Sequence, residues 1–277
     1  MKKLITTAGY FHNGIPYNRI GNGVRTLVVF QGSAFENKPA MGLMAQVLIS
    51  PYKFLENDFT VFVVTRKLNL PEGYSMKNMA DDYAMMIEEE FGEPVNVIGV
   101  STGGSIAQHF AADHPELVRK LVIHSSAYTL SDWAKILQMR VATLARQHKW
   151  IAAYMTQLSP TLTYSGIRKY LAKPVWWIGM VLAGILAAPE DPSDLVVTIE
   201  AEDKHNFRDR LALIKAPTLV IAGDKDPFYS EILFRETAEY IPNARLILYK
   251  GMGHPAHGKQ FRQDVLAFLN GDVADGK

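Results

Sequence analysis

Val95-Asn96-Val97-Ile98-Gly99-Val100-Ser101-Thr102-Gly103-Gly104 is the stretch on which the fold of this chain turns. Its first six residues are mostly apolar and β-branched, as expected of a strand covered on both faces. The residues after the glycines read as a helix that ends at Pro115. So sharp a passage from strand to helix needs glycine where the two backbones crowd. It also presents the Ser101 hydroxyl at the carboxyl edge of a sheet, where ligands of α/β folds bind.

The same grammar extends outward. Thr26-Leu27-Val28-Val29-Phe30, Phe59 to Val64, Lys120 to His124, Pro217 to Ala222 and Ala244 to Tyr249 are expected strands. His12-Asn13-Gly14 and Gly21-Asn22-Gly23 punctuate shorter strands near the start. Amphipathic helices fall between these runs. One extends roughly from Ser75 to Phe91, with Met76, Met79, Ala80, Tyr83, Met86 and Ile87 on one face and Ser75 as N-cap. Others lie near Glu231 to Ile241 and Lys259 to Leu269, the last stopped by Gly271. Strands alternating with helices predict the α/β class: a mostly parallel central sheet with helices on both faces.

At 277 residues and 48% hydrophobic, the chain suits one domain carrying an insertion. A net charge of +1 gives no global attraction to nucleic acid. Without cysteine, disulfides, thiol nucleophiles and Cys-ligated zinc are excluded. The apolar start after Met1-Lys2-Lys3 is too short for a secretory signal, so a cytoplasmic location is expected.

A serine hydroxyl is a weak nucleophile until a base takes its proton, and the base needs an orienting carboxylate. Val220-Ile221-Ala222-Gly223-Asp224-Lys225-Asp226 offers carboxylates just beyond one strand, and Gly251-Met252-Gly253-His254 offers a histidine just beyond the next. With the turn at Ser101, these pieces resemble the α/β-hydrolase superfamily, which uses the chain order Ser, Asp, His. The resemblance spans most of the chain outside Ser131 to Ala188 and implies serine esterase or lipase-like chemistry with a helical cap. It implies Ser101 as nucleophile, His254 as base and Asp226 as the orienting acid. Asp224 is then a turn or capping carboxylate, and remains the alternative acid; His257 remains the rival histidine.

Acyl transfer builds an oxyanion that needs preorganised N–H donors. The expected pair is the backbone amides of Thr102 and of Ser33, in the loop after the Thr26–Phe30 strand. There Gln31-Gly32 stands where this superfamily often carries His-Gly. Arg66-Lys67-Leu68-Asn69-Leu70-Pro71 also departs from the family, lacking its Gly-rich Asp/Arg turn; the sequence offers no account of it. No cofactor is implied, and no pair of the eight histidines has metal-ligand spacing on a helix.

The stretch 131–189 is expected to be a helical cap or lid inserted between core segments 1–130 and 190–277. From Ser131 to Ala188 it holds all four tryptophans and seven Lys or Arg against the single acid Asp132. Its apolar run Val175 to Leu186 falls short of the ~20 residues that span a bilayer. Two readings of this run stay open: a helix buried against the core, or an apolar substrate pocket lined by Trp176, Trp177 and Met180. The basic residues leave room for weak membrane-surface contact through the cap, though such a bias usually marks a solvated face. The expected reaction is cleavage of apolar carboxylic esters through an acyl-enzyme. The same triad also suits C–C, lactone or amide hydrolysis or acyl transfer, and a non-catalytic binding protein of this fold is the remaining alternative.

Overall fold

The computed structural model describes residues 7–161, 181 and 188–271. Its strands are β1 (Thr7–Tyr10), β2 (Pro16–Ile20), β3 (Arg25–Phe30), β4 (Phe59–Val64), β5 (Val95–Val100), β6 (Val118–His124), β7 (Thr218–Gly223) and β8 (Ala244–Tyr249). They form one sheet in the order β1-β2-β4-β3-β5-β6-β7-β8. β1 and β2 join antiparallel, as do β2 and β4; every pairing from β4 to β8 is parallel. Every residue of β5 and of β7 is buried, which is why those runs lack a two-residue alternation of polar and apolar side chains. β4 lies on one side of β3 and β5 on the other, so the chain reverses its winding there. Loops after β3 and β5 therefore diverge and leave a crevice at the carboxyl edge.

Helices cover both faces. α2 (Met76–Glu90) and α3 (Thr102–Asp113) bury Met79, Tyr83, Ile87, Ile106 and Phe110 against one face. α1 (Gly42–Ile49) and a carboxyl-terminal helix at Lys259–Asn270 bury Ile49, Phe261, Val265 and Phe268 against the other. The start of α2 is fixed reciprocally. Asn78 N–H donates to Ser75 Oγ at 3.2 Å, and Ser75 N–H donates to Asn78 Oδ1 at 3.1 Å. This box satisfies two amides that the helix itself leaves unpaired.

After β6 the chain leaves the sheet for α4 (Asp132–Arg146) and α5 (Trp150–Leu158). It returns through α6 (Ser193–Asp203), then α7 (Glu231–Tyr240) between β7 and β8, and α8 (Lys259–Asn270). Val141, Ala145, Trp150 and Ala153 of the excursion share a small core with Leu195, Val196 and Ile199 of α6. Phe35, from the loop after β3, stacks on Tyr154 of α5 with ring centroids 3.7 Å apart. Trp176, Trp177 and Met180, expected to line a pocket, lie outside the described residues.

Two helices carry no readable sequence pattern. In α1, Leu43, Met44 and Val47 are exposed while Ala45 and Ile49 are buried, so no polar stripe marks its outer face. In α6, Leu195 to Ile199 are all buried together with Ala201 and Glu202, and a helix enclosed on nearly all sides shows no amphipathic period.

Candidate active site

Ser101 sits between β5 and α3 with φ 52° and ψ −125°. A side-chain-bearing residue in that region costs about 1–3 kcal/mol and persists only when its surroundings hold it. Here they do. Ser101 N–H donates to His124 O at 3.0 Å, and Gly104 N–H donates to Ser101 O at 2.7 Å. A Cβ on Gly103 would stand 1.9 Å from the Phe30 carbonyl oxygen, so only glycine lets α3 begin this close to the end of β3.

Three chain-distant side chains meet at this turn. His254 Nε2 lies 3.1 Å from Ser101 Oγ, and His254 Nδ1 lies 2.7 Å from Asp226 Oδ2. The carboxylate can only accept, so Nδ1 carries the proton and Nε2 is free to accept from the serine hydroxyl. The Asp226 side chain is fully buried, and its second oxygen Oδ1 accepts from Phe228 N–H at 2.9 Å and Tyr229 N–H at 3.2 Å. Charge buried this deeply is tolerated because every lone-pair direction in use is met by a donor. Asp224 has a different job: its Oδ1 accepts from Gly251 N–H at 2.6 Å, tying the two loops together. His257 is exposed, and its Nδ1–H donates to Pro255 O at 2.9 Å.

The loop that carries His254 is clamped from the end of β6. His124 Nε2–H donates to Ala256 O at 2.7 Å, and Ala256 N–H donates to Ser125 Oγ at 3.0 Å. Burial pushes the His124 pKa down to about 4, so the ring is neutral at pH 7. Phe228 and Tyr229 pack their rings on His254, at 4.8 and 6.1 Å between centroids. The Tyr229 hydroxyl interacts with Ser101 and Ser126, and burial raises its pKa far above that of an ordinary tyrosine.

Beneath the turn lies a buried polar layer. Glu202 of α6 accepts from Ser105 Oγ at 2.6 Å, with the Tyr229 hydroxyl 3.5 Å from the same oxygen. Burial raises its pKa, opposed by these donors and by the charge of Arg66. Arg66 is only 1% exposed; its Nη1 donates to Gln31 O at 2.9 Å and to Gly32 O at 2.8 Å. Burial lowers its pKa, with Tyr83 and Glu202 opposing. Neither Arg66 nor Glu202 follows from sequence reasoning about this site. The available signal was charge in a buried context: an arginine just past the all-apolar strand at Phe59–Val64, and an acid inside the run Ile199-Glu200-Ala201-Glu202.

The segments that carry the expected oxyanion donors, Ser33 and Thr102, come together beside Ser101. Thr102 is the first residue of α3, so its amide has no acceptor within the helix. Gly32 lets the preceding loop approach: a Cβ there would stand 3.2 Å from Ser101 Cβ. Next to this point opens a cleft of about 1000 Å³, lined by Ser33, Met41, Met44, Leu48, Tyr52 and Pro255 among others. A hollow of about 460 Å³ at the antiparallel edge of the sheet shares none of these residues. Among the described residues no group of three His, Asp or Glu is placed to hold a metal ion, and no helix is long and apolar enough to cross a membrane.

A sheet wound this way, with its site in the crevice at the carboxyl edge, defines an α/β hydrolase. Known proteins place the chain more narrowly. The family described as serine aminopeptidase, S33, matches residues 73–260, and the chain belongs to that family. It is 32% identical over 178 residues to a poly(3-hydroxyalkanoate) depolymerase of Ectopseudomonas oleovorans, covering 62% of this chain and 59% of that protein. Across 239 residues it is 26% identical to a bifunctional esterase/perhydrolase of Acinetobacter calcoaceticus, covering 78% of this chain and 83% of the relative. In fold it resembles an α/β hydrolase from a Medee basin deep-sea metagenome library, with TM-score 0.79 and 18% identity over 98% of this chain and 100% of the other. The chain is a hydrolase.

Proposed function

We propose that this enzyme cleaves carboxylic esters of apolar substrates through a covalent acyl-enzyme formed on Ser101. The observation that carries the reading is the hydrogen-bonded file from buried Asp226 through His254 to Ser101, at 2.7 and 3.1 Å. His254 Nε2 takes the hydroxyl proton as Ser101 Oγ attacks the ester carbonyl. The tetrahedral oxyanion accepts from the amides of Ser33 and Thr102. His254 then returns the proton to the leaving alkoxide, and water repeats the sequence to release the acid. Asp226 fixes the imidazole tautomer and stabilises the imidazolium while it exists. No cofactor takes part.

Methionine, leucine and tyrosine side chains in the adjoining cleft favour an apolar acyl or alcohol group. The esterase/perhydrolase name of one relative and the depolymerase name of another agree with acyl chemistry. The stretch 131–189 serves as a cap, its Tyr154 already lining the cleft. A series of nitrophenyl esters from acetate to dodecanoate tests the reading. Turnover that rises with chain length and disappears in His254→Ala is expected; no turnover at any length contradicts it.

A further inference from the structure

Packing does not account for the burial of Arg66. It is a cation 1% exposed, and among the described residues its Nε and Nη2 have no hydrogen-bond partner. Burying a charge with unmet donors is more expensive than burying an apolar side chain of the same volume. What the side chain does accomplish is narrow: Nη1 bridges the successive carbonyl oxygens of Gln31 and Gly32, at 2.9 and 2.8 Å.

Those two carbonyls decide where the donors point. In a trans peptide the C=O of one residue and the N–H of the next lie in one plane and face opposite ways. Holding Gly32 O therefore aims Ser33 N–H away from the guanidinium, and holding Gln31 O does the same for Gly32 N–H. This loop lies against the nucleophile: a Cβ built on Gly32 would stand 3.2 Å from Ser101 Cβ. The guanidinium also withdraws charge from both peptide units, which makes their N–H groups stronger donors in a buried site.

From this geometry, and resting on the acyl-enzyme reading above, we propose that Arg66 is a positioning residue that sets and polarises the Ser33 side of the oxyanion hole. It touches neither substrate nor Ser101, and its effect is confined to the charged tetrahedral species. Glu202 of α6, which accepts from Ser105 Oγ at 2.6 Å, is the buried acid whose field reaches Arg66, without an ion-pair contact between the two among the described residues.

The test compares Arg66→Lys and Arg66→Met with the parent enzyme, using a nitrophenyl ester and an arylboronic acid as probe of the tetrahedral adduct. Active sites are counted by fluorophosphonate labelling, so only folded enzyme enters the rates. Removing the anchor of one donor is expected to lower kcat by about 10²-fold, on the scale of losing an oxyanion donor. Boronate affinity should fall in parallel, while KM stays within about threefold. Arg66→Lys, which keeps the charge but lacks the planar fork, should recover part of both losses. Should Arg66→Met fail to fold, the parallel loss of kcat and boronate affinity in Arg66→Lys carries the test. Values of kcat and boronate affinity within about twofold of the parent in the labelled variants overturn the proposal. A parent enzyme that fails to label at Ser101 overturns the acyl-enzyme reading instead, so the two failures are distinct.

Discussion

The two sides of the candidate site are held by different means. On the Ser101 side the backbone does the work: a strained φ of 52°, amide bonds to His124 and from Gly104, and a glycine at 103 pressed against β3. On the Gln31–Ser33 side, a side chain 34 residues away from Gly32 holds the loop by its carbonyls. Backbone-held geometry dictates residue types within a few positions, whereas side-chain-held geometry can be met by any residue that reaches. The first leaves a local motif and the second does not.

That difference decides what the sequence shows. The strands at Phe59–Val64, Val95–Val100 and Ala244–Tyr249 fall where apolar runs bounded by Gly, Pro or Asn predict them; for Val95–Val100, buried at every position, parallel pairing inside the sheet leaves little compositional choice. Ser101, Asp226 and His254 stand out because each follows such a strand at a glycine-marked turn. The structure brings those three together. Arg66, Glu202, His124 and Ser125 are silent in the sequence, since each acts across 34 residues or more on a backbone atom or a buried hydroxyl. α1 and α6 are silent for another reason, their burial having no helical stripe to announce it.

The largest expected effect sharpens the assignment on the backbone-held side. Asp226→Asn should lower kcat by about 10⁴-fold by leaving His254 in the wrong tautomer. Asp224→Asn, which weakens only the bond to Gly251, should cost less than about tenfold; kinetics of both variants on one ester decides between the two carboxylates.

Next in size is Gly103→Ala. Its Cβ would overlap the Phe30 carbonyl and force β3 and α3 apart, at about 3 kcal/mol. A urea midpoint unchanged from the parent would show that the Ser101 turn is not held by that contact.

Acid should weaken the clamp on the His254 loop. Unfolded histidine titrates near pH ~6.5. Burial brings His124 down to about 4 and His205, whose two ring nitrogens lack partners among the described residues, to about 3. Because the folded values are depressed, these rings contribute full stability above the unfolded pKa and lose it as pH falls through 6.5 toward 4 and 3. Each should cost about 2 kcal/mol by pH 5. Burial also brings His109 down to about 4, so unfolding free energies at pH 7.5 and 5 check the sum over three rings, and His205→Phe should remove about a third of the change.

The smallest effect concerns the cleft wall. Met44→Trp narrows the space beside Ser33 and should lower kcat/KM for long-chain esters about tenfold, on the scale of a few methylenes excluded from a pocket. Short-chain esters should be untouched; equal losses for both would move the acyl site elsewhere.

The claim beneath all of these is that Ser101 becomes covalently acylated because His254 takes its proton. Peptide mass spectrometry after treatment with a fluorophosphonate measures this directly. The adduct should appear on the peptide that contains Ser101, persist in Ser105→Ala, and vanish in Ser101→Ala and His254→Ala. An adduct retained at full extent in Ser101→Ala, or none in the parent enzyme, would contradict it.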